Sequence, residues 1–238
     1  MDKIDFAVIC ALDSEITEIL NTLDTYNKKR KYNLLIYEGK LSNKNIVIAK
    51  SGIGKIAAAR TTQFLISTYN PACLINMGSA GSINSNLDYG DIVISSSCVQ
   101  IDADCSAFGT TLGKFQDEDE MYTYADSNLI QKSKKIMEKL LDNKYSVKLG
   151  IIATSDTFIV DNEYKKFIHK IFNADCVEME GVAVANVCKE CSIPFVVIRG
   201  ISDKLNDENP VDTYERYKII ASRRCAEFLS KLVKYENK

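Results

Sequence analysis

Histidine is almost absent from this sequence, since His169 is the only one among 238 residues. Ser-His-Asp and Cys-His mechanisms need a histidine as the proton carrier, so the sequence argues against both. Cys188 and Cys191 form a C-x-x-C pair, but a zinc site needs a second such pair or nearby histidines. We therefore expect no metal site, and we expect His169 to be a surface or helix-packing residue.

Proline is scarce too, with three residues, and no linker, low-complexity tract or internal repeat interrupts the chain. With 46% hydrophobic residues, this predicts one compact domain over residues 1–238. No apolar run approaches the roughly 20 residues that cross a bilayer. The first apolar stretch carries Asp5, unlike a signal peptide. These absences predict a soluble, cytoplasmic protein.

The sequence has no large excess of charge of either sign, and its net charge is −2. Nucleic acids and membrane surfaces usually call for a basic face, so we expect neither as a partner. The basic run Lys28–Lys31 falls between a predicted helix and a predicted strand, and we expect a solvated turn there. Most of the eight cysteines lie in apolar runs, which is typical of small core residues in a reducing cytosol.

What the sequence does contain is a regular alternation of apolar strands and amphipathic helices. Strands are predicted at 4–12, 33–41, 44–52, 72–79, 91–101, 148–155 and 194–202, with a hairpin at "SNKN" between the second and third. Helices are predicted at 13–24 (opening with an Asp13 cap), 55–70, 127–143, 163–173, 178–192 and 214–235. This pattern predicts an α/β fold with a central, largely buried sheet.

Polar or glycine-rich segments follow the predicted strands, where α/β folds bind their ligands. They are "DSE" (13–15), "SGIGK" (51–55), "GSAGS" (78–82), "DADCSAF" (102–108), "TSDTFI" (154–159) and "RGISDK" (199–204). "SGIGK" lacks the spacing of a phosphate loop, and "GSAGS" lacks that of a dinucleotide fingerprint. Both segments fit tight turns and equally fit backbone amides brought close to a small ligand.

Two glutamates, Glu178 and Glu180, precede the small apolar residues of "GVAVANV". Residues two apart on a helix point in different directions, so these carboxylates cannot act as a pair from one regular helix. One of them suits the positive end of the helix, and the other can project into a pocket. That both simply cap the helix is an alternative that the residues leave open.

The motifs "SGIGK", "NMGSAG", "DADCSAFG", "SDTFI", "VEMEG" and "RGISD", in this order, resemble the 5′-methylthioadenosine/S-adenosylhomocysteine nucleosidases of the nucleoside phosphorylase superfamily. The resemblance covers nearly the whole chain. It implies a three-layer α/β/α fold with a central mixed, partly barrel-like sheet. It also implies hydrolysis of the N-glycosidic bond of an adenine nucleoside by water, without metal or organic cofactor, in a homodimer.

The resemblance also implies roles for individual residues. Glu15 matches the general base that activates water, and Asp203 matches the general acid that protonates adenine N7. Glu180 matches the carboxylate that binds the ribose hydroxyls, beside Met179, while Glu178 has a weaker claim. The other matched positions are Arg199 and Ser79 near water and sugar, Phe158 and Ile159 at the base, Ser202 beside Asp203, Leu12, Ile53 and Tyr214 at the 5′ group, and Cys105 and Phe108, which reach the neighbouring subunit's site.

Superfamily members that use phosphate bind it with arginines, because a dianion needs cationic partners. Here Asn76 and Met77 precede the "GSAG" turn, and Glu15 follows the first strand without a basic residue nearby. This favours water over phosphate as the nucleophile.

Three alternatives remain open: a phosphate-dependent purine nucleoside phosphorylase, an aminodeoxyfutalosine nucleosidase, and a non-catalytic nucleoside-binding protein. Thr110 and Gln116 stand where relatives often carry an aromatic residue and a proline, which leaves the preferred 5′ group open. We expect residues 109–125 to form a mobile acidic loop.

Overall fold

The computed structural model describes residues 3–139 and 145–235, except for the side chain of Glu138. The strands are β1 (Phe6–Cys10), β2 (Thr25–Lys31), β3 (Leu34–Leu41), β4 (Lys44–Lys50), β5 (Cys73–Ser82), β6 (Ile92–Gln100), β7 (Tyr122–Tyr124), β8 (Val147–Thr154), β9 (Cys176–Glu178) and β10 (Phe195–Asp203). The helices are α1 (Asp13–Leu20), α2 (Lys55–Tyr69), α3 (Ser127–Lys139), α4 (Asn162–Phe172), α5 (Gly181–Glu190) and α6 (Pro210–Tyr235).

Five of the strands close into a ring in the order β5, β10, β6, β8 and β9, with β9 returning to β5. Three of these pairings are parallel, and those of β10 with β6 and of β5 with β9 are antiparallel. Register shifts at 95–97 and 201–203 interrupt two of the ladders, and such bulges bend a strand and allow closure. The barrel-like, mixed sheet is therefore confirmed.

The sheet continues beyond the ring as an open arm of β1, β4, β3 and β2. β1 lies parallel to β5 and β4, while β3 runs antiparallel to β4. The turn between β4 and β3 places Ser42 and Asn43 at φ values of 49° and 66°, in the left-handed region that suits a two-residue hairpin. The predicted hairpin is confirmed.

Helices cover the sheet in two groups, which completes the three-layer fold. α6 packs along β10 and β5 with α1 and α3 against it, while α2 and α5 pack together. All residues of β1 and β10 are buried, because helices cover both faces of these strands. None of the helices in the described ranges has both the length and the apolar character that a bilayer crossing needs.

The basic run at 28–31 forms part of strand β2, so the prediction of a turn was wrong. All residues of β2 are exposed, which is why no apolar alternation marks the strand in the sequence. Pairing with β3 stabilises it instead, through the backbone ladder and an ion pair between Lys29 and Glu38 at 2.6 Å. Tertiary pairing therefore overrides the local preference for a turn.

Other element boundaries also differ from the prediction. Asp13 does not cap α1, because it is the first helical residue and its carboxylate pairs with Lys50. Glu178 ends strand β9, so the helix predicted from that residue begins later, at Gly181. Segment 109–125 contains strand β7, which pairs with β6, and is not wholly a loop. The predicted helical residues 140–143 lie outside the described residues.

Candidate active site

A cavity of about 350 Å³ opens at the carboxyl ends of the central strands. Its wall comes from segments that follow β1, β4 and β8, from the ends of β5, β9 and β10, and from α6. The segments after β1 and β4 and the ends of β5 and β10 meet here because the carboxyl ends of parallel strands share one edge of the sheet. The segments after β8 and β9 reach the same cavity because β9 pairs antiparallel with the end of β5 and closes the ring. The volume falls in the range of sites for small organic ligands.

Most of the predicted site residues line this cavity: Leu12, Glu15, Ile53, Ser79, Phe158, Glu178, Met179, Glu180, Ser202, Asp203 and Tyr214. Ile159 lines a small adjoining recess that also includes Phe158 and Asp203. Arg199 is buried behind the wall and does not line the cavity, and Phe108 lies outside it with 73% of its surface exposed.

Glu15 is a buried carboxylate, although it lies only one turn into α1. Its Oε2 accepts hydrogen bonds from the backbone N–H groups of Ala11 (2.9 Å) and Leu12 (3.0 Å), and Oε1 accepts one from Ser79 (3.0 Å). Burial raises the pKa of Glu15 above its ordinary value, while Arg199 and these N–H donors act in the opposite direction. The carboxylate is therefore fixed in one orientation, with access to the cavity.

Gly78 makes this arrangement possible. A Cβ atom at this position would collide with the guanidinium of Arg199 and would lie 2.7 Å from Oε1 of Glu15. The glycine in "NMGSAG" is thus required by the close approach of two charged side chains to the backbone of β5.

Asp203 ends strand β10 and is 2% exposed. Ser202 Oγ donates a hydrogen bond to its Oδ1 at 3.1 Å, and Lys165 Nζ donates to its Oδ2 at 3.1 Å. Burial raises the pKa of Asp203 above its ordinary value, and Lys165 counteracts that effect.

Glu180 precedes α5, and its carboxylate faces the cavity. Oε1 accepts a hydrogen bond of 2.8 Å from the backbone N–H of Gly54, and Oε2 lies 3.6 Å from the Arg199 guanidinium. Gly54 has a φ of +93°, which only glycine adopts without strain. Burial raises the pKa of Glu180 above its ordinary value, and Arg199 counteracts that effect.

Glu178 differs from Glu180 because its hydrogen-bonding capacity is used within the protein. Its Oε2 accepts from the backbone N–H groups of Glu180 (2.9 Å) and Gly181 (2.7 Å) and contacts Arg199, while Oε1 accepts from Thr154. Glu178 therefore satisfies the amides at the start of α5, whereas Glu180 accepts one hydrogen bond among the described residues, from Gly54, and both glutamates line the cavity. The sequence-based interpretation that one glutamate serves the helix and the other a pocket agrees with this geometry.

Arg199 is the cation that holds these carboxylates together. It is 1% exposed, and besides Glu178 its guanidinium donates to Oδ1 of Asn76. A buried ion pair that loses one partner leaves an uncompensated charge in the interior. From behind the cavity wall, Arg199 therefore holds the carboxylates of Glu178 and Glu180 in position.

Replacing Arg199 with Met should lower the free energy of unfolding by about 3–5 kcal/mol, the usual cost of leaving one member of a buried pair unpaired. Urea unfolding followed by circular dichroism measures this loss. In an Arg199→Met/Glu178→Gln double variant, the loss should be clearly smaller than the sum of the two single losses. Strict additivity would show that the two side chains are not coupled.

The mouth of the cavity is apolar and partly open. Phe158 and Tyr214 meet edge to face, with ring centroids 5.7 Å apart, and Phe158 is 42% exposed. Ile53 beside them is 59% exposed. The cavity thus combines buried carboxylates at its base with exposed apolar side chains at its rim.

The comparisons with known proteins agree with this architecture. The sequence model of a family described as the phosphorylase superfamily matches residues 5–234. The chain belongs to the phosphorylase superfamily.

Three members of this superfamily illustrate the similarity. A 5′-methylthioadenosine/S-adenosylhomocysteine nucleosidase of Staphylococcus epidermidis is 34% identical over 95% of this chain and 97% of its own length. An aminodeoxyfutalosine nucleosidase of Campylobacter jejuni is also 34% identical, over 95% of this chain and 96% of its own. The crystal structure of a nucleosidase of the first kind from Colwellia psychrerythraea, in complex with adenine, superposes with a TM-score of 0.91 at 31% identity, over 98% and 96% of the two chains.

One charged residue beside the cavity of this chain, Lys165, was not predicted from the sequence. Lys165 lies on α4, three residues before Ile168 and seven before Phe172, on the face of the helix that is buried. This spacing was visible in the sequence as a lysine on an apolar face. No sequence feature indicates its partner, because Asp203 lies 38 residues further along the chain.

Proposed function

We propose that this chain hydrolyses the N-glycosidic bond of 5′-methylthioadenosine and S-adenosylhomocysteine, and also of 5′-deoxyadenosine, releasing adenine and the 5′-substituted ribose. One observation carries the proposal: three carboxylates from separate parts of the chain line one cavity, namely Glu15 on α1, Glu180 after β9 and Asp203 at the end of β10. Among the described residues lining it there is no lysine or arginine. The names and full-length similarity of the relatives support the same activity.

Asp203 is the proposed general acid. A purine base leaves as a neutral molecule when its N7 accepts a proton, so the acid must carry one near neutral pH. Burial of Asp203 favours its protonated form, as the role requires. Ser202 holds one carboxyl oxygen and Lys165 the other, which fixes the direction in which the proton is given.

Glu15 is the proposed general base. As the bond to the base breaks, the sugar acquires oxocarbenium character, and a water molecule attacks its anomeric carbon. Glu15 accepts the proton of that water, and its negative charge also stabilises the developing cation. The three backbone N–H donors keep the carboxylate oriented without neutralising it.

Glu180 is the proposed ligand of the ribose hydroxyls, with Met179 packing beside the sugar. A carboxylate with one oxygen held by Gly54 accepts hydrogen bonds from a diol with the other. Phe158 is proposed to stack on the adenine and Ile159 to bond its edge through the backbone. Leu12, Ile53 and Tyr214, which line the cavity, are proposed to surround the 5′ group.

A second copy of the chain is part of the proposal. Phe108 is an exposed apolar side chain outside the cavity, and Ile53, which lines the cavity, is exposed as well. Cys105 immediately precedes the short 3-10 turn that contains Phe108. We propose a homodimer in which Cys105 and Phe108 reach the neighbouring site. All eight cysteines are free thiols, which fits a cytoplasmic location.

Adenine release from 5′-methylthioadenosine should proceed at the same rate with and without added phosphate. The cavity wall offers carboxylates, which repel a phosphate dianion, and its described residues offer no cationic side chain to bind one. Adenine can be followed by chromatography in phosphate-free buffer and again at millimolar phosphate. Release that depends on phosphate, with 5-methylthioribose 1-phosphate as the second product, would show a phosphorylase.

Aminodeoxyfutalosine is a second candidate substrate, because the Campylobacter relative named for that activity is as similar as the Staphylococcus relative. Both reactions use the same acid and base and differ only at the 5′ group. A comparison of kcat/KM for the two nucleosides decides between them.

A further inference from the structure

A lysine is buried on helix α4, where its neighbours on the same face are apolar. Lys165 has no exposed surface, and Ile168 and Phe172 on its face of the helix are buried as well. The adjacent Lys166 points to solvent and pairs with Glu163 at 2.7 Å. Burial of an ammonium is costly, so an apolar side chain at this position would serve packing at least as well. The presence of a charge therefore calls for a function.

The ammonium of Lys165 is directed at the cavity residue Asp203, whose Oδ2 lies 3.1 Å from Nζ. Asp203 is the partner that the structure gives this ammonium among the described residues. The pair links α4, which does not contribute to the cavity wall, to the end of β10, which does. Ser202 contacts the other carboxyl oxygen, so both oxygens of Asp203 are held.

We propose that Lys165 is a positioning residue for the leaving-group acid. Its ammonium holds the Asp203 carboxyl in place and stabilises the carboxylate that remains after proton transfer. The inference rests on the proposed function. In the step, the O–H proton of Asp203 moves to N7 of the base, and the electron pair of the breaking C–N bond moves into the purine ring. Asp203 becomes an anion, and Lys165 pairs with it.

The charges around Asp203 are consistent with Asp203 as the acid and Lys165 as the residue that positions it. Lys165 on α4 favours its ionised form, and Asp207, beyond the end of β10, opposes ionisation. Glu178 and Glu180 line the same cavity, and Tyr214 of α6 is uncharged at neutral pH. Burial alone would raise the pKa of Asp203 and make it a weaker acid. An acid transfers its proton best when its pKa is near the working pH. Lys165 counters the effect of burial.

The test compares the variants Lys165→Met and Lys165→Arg with Lys166→Met, a matched loss of charge at the next position of the same helix. The quantity measured is kcat for adenine release between about pH 5 and 10. Activity requires protonated Asp203, so it is lost as the pH rises through the pKa of Asp203. An opposite charge at this distance lowers a carboxyl pKa by roughly 1–3 units. Removing the Lys165 charge should therefore shift the alkaline limb of the profile, where activity falls with rising pH, to higher pH by at least about one unit.

We expect the plateau of kcat in Lys165→Met to fall about tenfold or more, because the acid becomes weaker. Lys165→Arg should keep the limb near its wild-type position, and Lys166→Met should match the wild type in both respects. An unchanged alkaline limb in a folded Lys165→Met variant would overturn the inference. If the wild-type protein itself releases no adenine, the proposed function fails instead, so the two failures are distinguishable.

A second measurement keeps the inference testable even if Lys165→Met folds poorly. The effects of Lys165→Gln and Asp203→Asn on turnover are compared singly and together, each corrected for the folded fraction. Because Lys165 acts through Asp203, its replacement should cost little in the Asp203→Asn background. Equal losses in both backgrounds would show that Lys165 acts independently of the acid and would overturn the inference.

Discussion

Replacing Asp203 with Asn should lower kcat for adenine release by about 10²–10⁴-fold, the usual contribution of a general acid. An amide cannot give a proton to N7, so the base would have to leave as an anion. The carboxamide keeps the size of the side chain and an oxygen for the Lys165 ammonium, 3.1 Å away in the native protein. Binding of the nucleoside should therefore persist while turnover is nearly lost.

Two measurements check this expectation. Steady-state kinetics give kcat, and calorimetric titration with 5′-methylthioadenosine gives binding in the variant. Asp212→Asn, at an exposed position of α6, is the matched control and should match the wild type. A fully active Asp203→Asn variant would mean that another group protonates the base.

Glu15→Gln should cause a loss of similar size, about 10²–10⁴-fold in kcat, because an amide does not accept the proton of the attacking water. The variant should also be less stable. The backbone N–H groups of Ala11, Leu12 and Ser79 all point at the carboxylate, so the NH₂ of glutamine must face one of these donors. Thermal unfolding measures this second effect.

The dependence on pH gives an independent test of Glu15. The base must be ionised, so activity of the wild type should fall as the pH drops through the pKa of Glu15, which burial raises. This acid limb should disappear from the residual activity of Glu15→Gln. Glu18→Gln changes a glutamate on the same helix that pairs with Arg223 on the surface, and it should leave both the rate and the limb unchanged. A retained acid limb in Glu15→Gln would assign it to another carboxylate, such as Glu180.

The main elements of the fold could be predicted because their residues carry local signals. The apolar runs that became β1, β5 and β10 are buried from end to end or nearly so, and such runs are typical of strands covered on both faces. Helix α2 was predicted at 55–70 and ends one residue earlier, at Tyr69, because Asn70 adopts the left-handed conformation that stops a helix. Of the polar segments, those that follow or end β1, β4, β5 and β10 meet at one edge because these strands are parallel.

Other features depend on contacts between distant segments, which leave no local signal. Strand β9 is three residues long and exists because it joins β5 to β8 and closes the ring. Strand β2 is wholly exposed, so its partner β3, and not its side chains, makes it a strand.

The sequence by itself therefore determined the alternation of the main strands and helices and the polar segments, with their carboxylates, that follow those strands. Only the tertiary structure decided what surrounds those carboxylates. Arg199 lies behind the wall against Glu178, and Lys165 crosses from α4 to Asp203. The physical reason is that periodicity records whether a side chain is buried, whereas pairing of buried charges depends on the distance between residues that folding brings together.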